Sequence, residues 1–280
     1  MELEILQYDF MRRALLAAVL IGLTAPSVGI YLVQRRLALV GDGLGHVALT
    51  GVAVGLVTSR SPVLTALVAA ALGAIAIELV RARGRTSGDV ALAVLFYGGI
   101  AGGVVIVSQA PAGTSANLDA YLFGAITTTT TSDLWTFVVL SVAVLAVTIG
   151  LGRYLFAISD DEEHARASGL PVLRLNVLLA VVTAVTVVVS MRVVGLLLIS
   201  ALMVIPIATA QLVARSFRST LVLATVLGTA ASVTGVTTSF YADTPSGGTI
   251  VLVAIAAFVV VALAAGLRGR ATRRRPAHTS

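Results

Sequence analysis

The chain has 280 residues, of which 58% are hydrophobic and only 11% charged, and its mean hydropathy is +1.02. Soluble domains are about 45–50% apolar and about 25% charged; a fold of this length cannot hide so much apolar surface from water, which excludes a soluble protein and implies a polytopic membrane protein. The net charge is +6, with 19 basic residues, all arginine, against 13 acids.

A spanning helix takes about 20 mainly apolar residues. In chain order such runs fall near 14–34, 42–59, 62–80, 89–108, 134–156, 173–191, 194–214, 219–238 and 249–267. The predicted fold class is all-α, a transmembrane helical protein of eight to nine spans, or ten if a long helix is broken. A single transmembrane domain over 1–268 and a basic cytoplasmic tail over 269–280 are expected. Pro26 and Pro206 sit inside apolar runs and are expected to kink them. Small residues four apart (Gly51 and Gly55, Gly98 and Gly102, Gly99 and Gly103) predict close helix contacts.

Arginine bias in the short loops sets the orientation. Placing the loop with Arg166 inside also places Arg35, Arg36, Arg81, Arg83, Arg85, Arg153, Arg174, Arg215, Arg218 and the tail arginines inside. The segments "PAGTSANLDAYLFGAITTTTTSD" and "FYADTPSGG" then fall outside and contain no arginine. Arg12, Arg13, Arg60 and Arg192 are left on the other side. Clusters of this kind serve membrane orientation, so nucleic acid is not an expected partner. No small-residue cleavage site follows the first apolar run, and the start is read as mature sequence.

Some chemistry is ruled out by composition. The sequence has no cysteine, which removes disulfides, thiolate metal sites and cysteine nucleophiles. Without lysine there is no Walker A loop, so ATP used in transport must be hydrolysed by another chain.

The stretch "VGDGLGHVALTGVAVG" (40–55) carries an aspartate and a histidine in apolar surroundings. At i and i+4, Asp42 and His46 share a helix face with Cβ atoms about 6 Å apart. An isolated aspartate at mid-membrane costs at least ~2.5 kcal/mol, so it needs a partner, water or an interface. Carboxylate oxygen and imidazole nitrogen suit Zn2+ or Mn2+. Two ligands leave most of a coordination sphere to other helices, a second copy or water. The residues alone equally allow Asp42 as a helix N-cap and His46 as a satisfied core histidine.

The segment "ISDDEEHARASGLP" (158–171) opens with four acids and a short helix-prone stretch, stopped at Gly169 and Pro171. It is either a docking peg for a soluble partner or a solvated loop. "YLFG" (121–124) and "SFYADTPSGG" (239–248) either line an outer entrance or form plain turns, and Asp243 is a further pathway candidate. Glu78 beside Arg81 reads as an ion pair at the membrane interface.

Five stretches, in order, resemble the membrane subunit of bacterial zinc/manganese/iron ABC importers, over about residues 10–268. They are "QRRLALVGDGLGHVALTGVAVG", "YLFG", "DEEHARASGLPV", "VGLLLISALMVIPIATAQLVAR" and "YADTPSGGTIVLVA". The most specific piece is Gly41, Asp42, Leu44, His46 and Val47. Glu163, Ala165 and Gly169 resemble the Glu-Ala-Ala…Gly loop by which ABC importer permeases engage their ATPase. The resemblance implies a homodimeric permease of the bacterial inner membrane, with vitamin-B12-importer-like architecture and no permanently bound cofactor. It also implies cytoplasmic ATPase subunits, an external metal-binding protein, and Zn2+ or Mn2+ as cargo, with Fe2+ as a further candidate. Asp42 and His46 would contact the metal. Val47 replaces the usual alanine, and Ala125 stands where many relatives carry a polar or acidic residue.

A transport subunit is expected rather than an enzyme, because no nucleophile, base and orienter set accompanies the Asp–His pair. The alternatives are an ABC permease for a metal chelate such as a siderophore or cobalamin, and a gradient-driven secondary transporter using the pair as a proton relay.

Overall fold

The computed structural model describes residues 7–83, 88–109, 121–124, 130–191 and 194–273. Its long elements are helices: α1 (Asp9–Gln34), α2 (Val40–Val57), α3 (Pro62–Ala82), α4 (Gly88–Ser108), α5 (Thr131–Gly150), α6 (Gly152–Asp160), α7 (Glu162–Ala167), α8 (Val172–Ser190), α9 (Leu196–Gln211), α10 (Phe217–Ala242) and α11 (Ser246–Arg273). Among the described residues there is no strand, as expected for a bilayer, where a helix satisfies every backbone group internally.

Among the described residues, seven helices are long and apolar enough to cross a membrane: α1, α2, α3, α4, α8, α10 and α11. The pair α5 and α6, bent by 66°, would add an eighth if counted as one broken span. Pro26 and Pro206 lie within helices that run unbroken past them. A break falls at Leu151, between Gly150 and Gly152.

Contacts between helices fix their directions. Phe10 meets Phe240 at one end, with ring centroids 6.2 Å apart, and Tyr31 meets Phe217 at the other at 5.6 Å, so α1 and α10 are antiparallel. Arg13 Nη1 donates to Thr131 Oγ1 and the Tyr31 hydroxyl to the Thr148 carbonyl, both at 3.1 Å, so α5 runs with α1. Gly51 and Gly55 of α2 face Ala66 and Pro62 of α3, an antiparallel hairpin. Gly43 and His46 face Leu92 and Gly99, so α4 runs with α2. Asn176 lies by Arg35 and Val187 by Gly45, so α8 does too. Since α8 and α10 both start from the Arg35 end, the shorter α9 carries the chain back between them.

The Arg35 end gathers the C-termini of α1, α3, α6, α9 and α11 and the N-termini of α2, α4, α8 and α10. It carries Arg36, Arg81, Arg83, Arg153, Arg166, Arg174, Arg215 and Arg218, while Arg12, Arg13 and Arg60 lie at the opposite end. Arg85, Arg192, Arg274, Arg275 and Ala125 lie outside the described residues. Helix α11 continues past position 268 to Arg273.

Two apolar clusters fill the interior. One is built around α1, with Met11, Ile21, Tyr31, Leu155 and Ile199; the other lies around α2, with Leu44, Val52, Ala70, Met191 and Leu196. Residues 90–108 of α4 and 246–267 of α11 are strongly apolar and mostly exposed in the single chain.

Candidate functional site

Asp42 lies in the first turn of α2, where a carboxylate complements the helix dipole, but the N-cap is Leu39. The aspartate is therefore free of the capping role. One turn further on, His46 is only 7% exposed. Its Nδ1 is buried with no hydrogen-bond partner among the described residues. Leaving such an atom unpaired costs about 1–3 kcal/mol. Phe96 of α4 meets the imidazole edge-on, with centroids 4.4 Å apart.

Helix α4 is pressed onto α2 at this point. A Cβ on Gly99 would stand 2.7 Å from the backbone carbon of His46, and Thr50 Oγ1 donates to the Gly99 carbonyl at 2.6 Å. On another flank, Ser200 Oγ and Met203 Sδ of α9 each lie 3.3 Å from where a Gly41 Cβ would be. Ser200 Oγ is also buried and unpartnered among the described residues.

The pair sits deep in the bundle. The Met203 backbone meets Gly29 of α1 and its sulfur reaches toward Gly41. Gly29 is six residues, about 9 Å, from Arg35 along α1. His46 is a further turn inward, so along the helix axes the pair lies about 10–16 Å from the level of Arg35. Among the described residues, no group of three or more His, Cys, Asp or Glu side chains converges here or elsewhere.

Asp243 lies at the other end of the molecule from Arg35. It closes α10 in the left-handed conformation (φ 50°) and is exposed. The outer segment 121–124 dips inward: Tyr121 is 6% exposed and packs in the α2 cluster with Leu44, Met191 and Leu196. At Gly195 (φ 85°) a Cβ would stand 2.5 Å from the Leu122 carbonyl oxygen, so the two backbones touch.

At the arginine-rich end, the acidic segment forms the short helix α7, capped by the Asp161 side chain, which accepts from the His164 N–H at 2.9 Å. Ala165 is buried at 2% exposure, Glu163 is exposed, and Gly169 turns the chain at φ 81°. The expected Glu78–Arg81 ion pair is present at 2.6 Å. With Arg35, Glu162, Arg166 and Asn176 these two residues line a polar cavity of about 400 Å³. Burial lowers the pKa of the Arg35 guanidinium, and the nearby Glu78 carboxylate raises it in part; arginine stays ionised regardless.

Phe96, Ser200, Arg35, Glu162 and Asn176 were not singled out from the sequence. Asn176 offered a signal, as a lone amide in the apolar run "LNVLLAVV", where polar side chains usually find partners on other helices. The others show only through contacts between residues distant in the chain.

The architecture is that of a multi-pass membrane transport protein. The chain belongs to the ABC 3 transport family, whose model matches residues 7–265, and it is thus the permease subunit of an ABC transporter. It is 33% identical over 256 residues to a "Probable metal transport system membrane protein" of Treponema pallidum, covering 91% of this chain and 96% of that one. It is 30% identical over 270 residues to the "Manganese transport system membrane protein MntC" of Halalkalibacterium halodurans, covering 96% and 92%. Among solved structures it resembles PsaBC from Streptococcus pneumoniae in complex with Fab, with a TM-score of 0.83 and 29% identity over 93% of this chain and 95% of that one.

Proposed function

We propose that the chain forms the translocation pathway of an ATP-driven importer for divalent transition metal ions, with Asp42 and His46 contacting the ion in transit. Mn2+ is the first candidate cargo, because a relative at 30% identity is named for manganese transport. Zn2+ and Fe2+ are bound by the same donor types. The observation that carries the reading is the unpartnered Nδ1 of a buried histidine, one turn from a carboxylate, at mid-depth in a bundle. One nitrogen and one carboxylate per chain make a weak site, which suits a cargo that must leave again. A second copy of the chain would supply further ligands.

In this reading two copies assemble with cytoplasmic ATPase subunits, and an external binding protein delivers the ion. Glu163 on the exposed side of α7 meets the ATPase, Ala165 anchors the helix in the core and Gly169 ends it. Asp243 belongs to the outer turn that faces the binding protein. The pair is tested by uptake of radiolabelled manganese into proteoliposomes holding the permease and its ATPase. Asp42→Ala and His46→Ala are expected to reduce uptake about ten-fold or more, with the ATPase still co-purifying. Uptake near the unsubstituted level in both variants would sink the site. Transport by this chain without any ATPase would restore the gradient-driven alternative, and uptake of a chelate in preference to the free ion would favour the chelate one.

A further inference from the structure

Three parts of the chain meet at the turn after α1. Arg35 follows the last residue of α1, and its side chain is 7% exposed. Its Nη2 donates to Glu162 Oε2 in α7 at 3.0 Å, and its Nη1 donates to Asn176 Oδ1 in α8 at 2.9 Å. Asn176 Nδ2 stands 3.5 Å from the same Glu162 oxygen, closing a triangle. One residue earlier, Gln34 Nε2 donates to Asp160 Oδ1, the last residue of α6, at 3.1 Å. The end of α1 therefore grips the junction on both sides of Asp161.

Beyond Arg35 the chain has little freedom. Arg36 is in the left-handed region at φ 58°. The Leu37 N–H donates to the Leu32 carbonyl at 2.8 Å and the Val40 N–H to the Leu37 carbonyl at 3.0 Å. Helix α2 then opens at Val40, with Asp42 in its first turn.

We infer that Arg35 is a positioning residue that passes movement of the docking helix α7 to the α1–α2 turn, and so to Asp42 and His46. The inference rests on α7 and the pair having the roles proposed above. A guanidinium holds two partners at a fixed angle, so α7 and α8 cannot part from α1 without breaking charge-assisted bonds. Breaking them would leave the nearly buried guanidinium with only the Glu78 carboxylate near it, which makes the joint stiff. Arg166 takes the other Glu162 oxygen at 3.1 Å but is itself 72% exposed and tied to no other helix in that contact. Of the two arginines on this carboxylate, only Arg35 leads on to the pathway.

The test uses the permease with its ATPase in proteoliposomes. It reads manganese ions taken up per ATP hydrolysed, together with the amount of ATPase that co-purifies. Arg35→Gln is expected to lower ions per ATP about five-fold or more, with the ATPase retained. Arg35→Lys keeps the charge and is expected to recover at least about half of the loss. Asn176→Ala removes one arm of the fork and is expected to lower the ratio about two-fold to three-fold; it decides the matter if Arg35→Gln does not fold. An unchanged ratio in Arg35→Gln, or in Asn176→Ala where it stands in, overturns the inference. Loss of ATPase in step with uptake also overturns it, since Arg35 would then only support the docking surface. If the unsubstituted complex takes up no manganese, the metal reading itself falls and takes this inference with it.

Discussion

A Cβ at Gly99 would press on the backbone of His46, whereas nothing lies within 4 Å of one at the adjacent Gly98. The two glycines look alike in "YGGIAGG" and differ only in which side of α4 they occupy. Gly99→Ala is expected to push α4 off α2, costing about 1–3 kcal/mol as an overpacked contact. Gly98→Ala is expected to be neutral or to gain up to about 1 kcal/mol from helix propensity. Thermal unfolding of the two variants in detergent checks the contrast. Manganese uptake should fall only for Gly99→Ala, because the same contact seats Phe96 of α4 against His46 and forms the hydrogen bond from Thr50 of α2 to the Gly99 carbonyl.

Among the elements, α7 is the shortest and depends most on single residues. With Ala165 buried against the core and Gly169 at φ 81°, Ala165→Leu should lift the helix, costing about 1–3 kcal/mol, and Gly169→Ala should strain its exit by about 1–2 kcal/mol. Pull-down of the ATPase by each variant measures the effect, and both should bind it more weakly. The spans themselves were readable from apolar length, since the run 62–80 became Pro62–Ala82 and the run 173–191 became Val172–Ser190. The Asp42–His46 face was equally readable from its spacing. The elbow at Leu151 was not, because the run 134–156 is mainly apolar and only Gly150 and Gly152 flank the break. The burial of Tyr121 escaped for the opposite reason: four residues in a polar loop carry no periodicity. The Arg35–Glu162–Asn176 joint links positions 127 and 141 residues apart, a separation that no local pattern reports.

For the described part of the molecule, α1 starts at the end opposite Arg35 and α11 finishes at the Arg35 end, so the first and last long helices open and close on opposite faces of the bundle. The chain has no cysteine of its own, so single cysteines can be labelled cleanly. Ser59→Cys and Thr244→Cys should react with a membrane-impermeant maleimide from outside the cell, and Ser168→Cys only after the membrane is opened. Reaction of all three from one side would contradict the alternation. The touch between segment 121–124 and Gly195 adds something to this picture. Leu196, the next residue, lies against Gly45, the neighbour of His46. No slack separates the outer loop from the imidazole, so a soluble protein that grips the loop holds a handle on the depth of the pore.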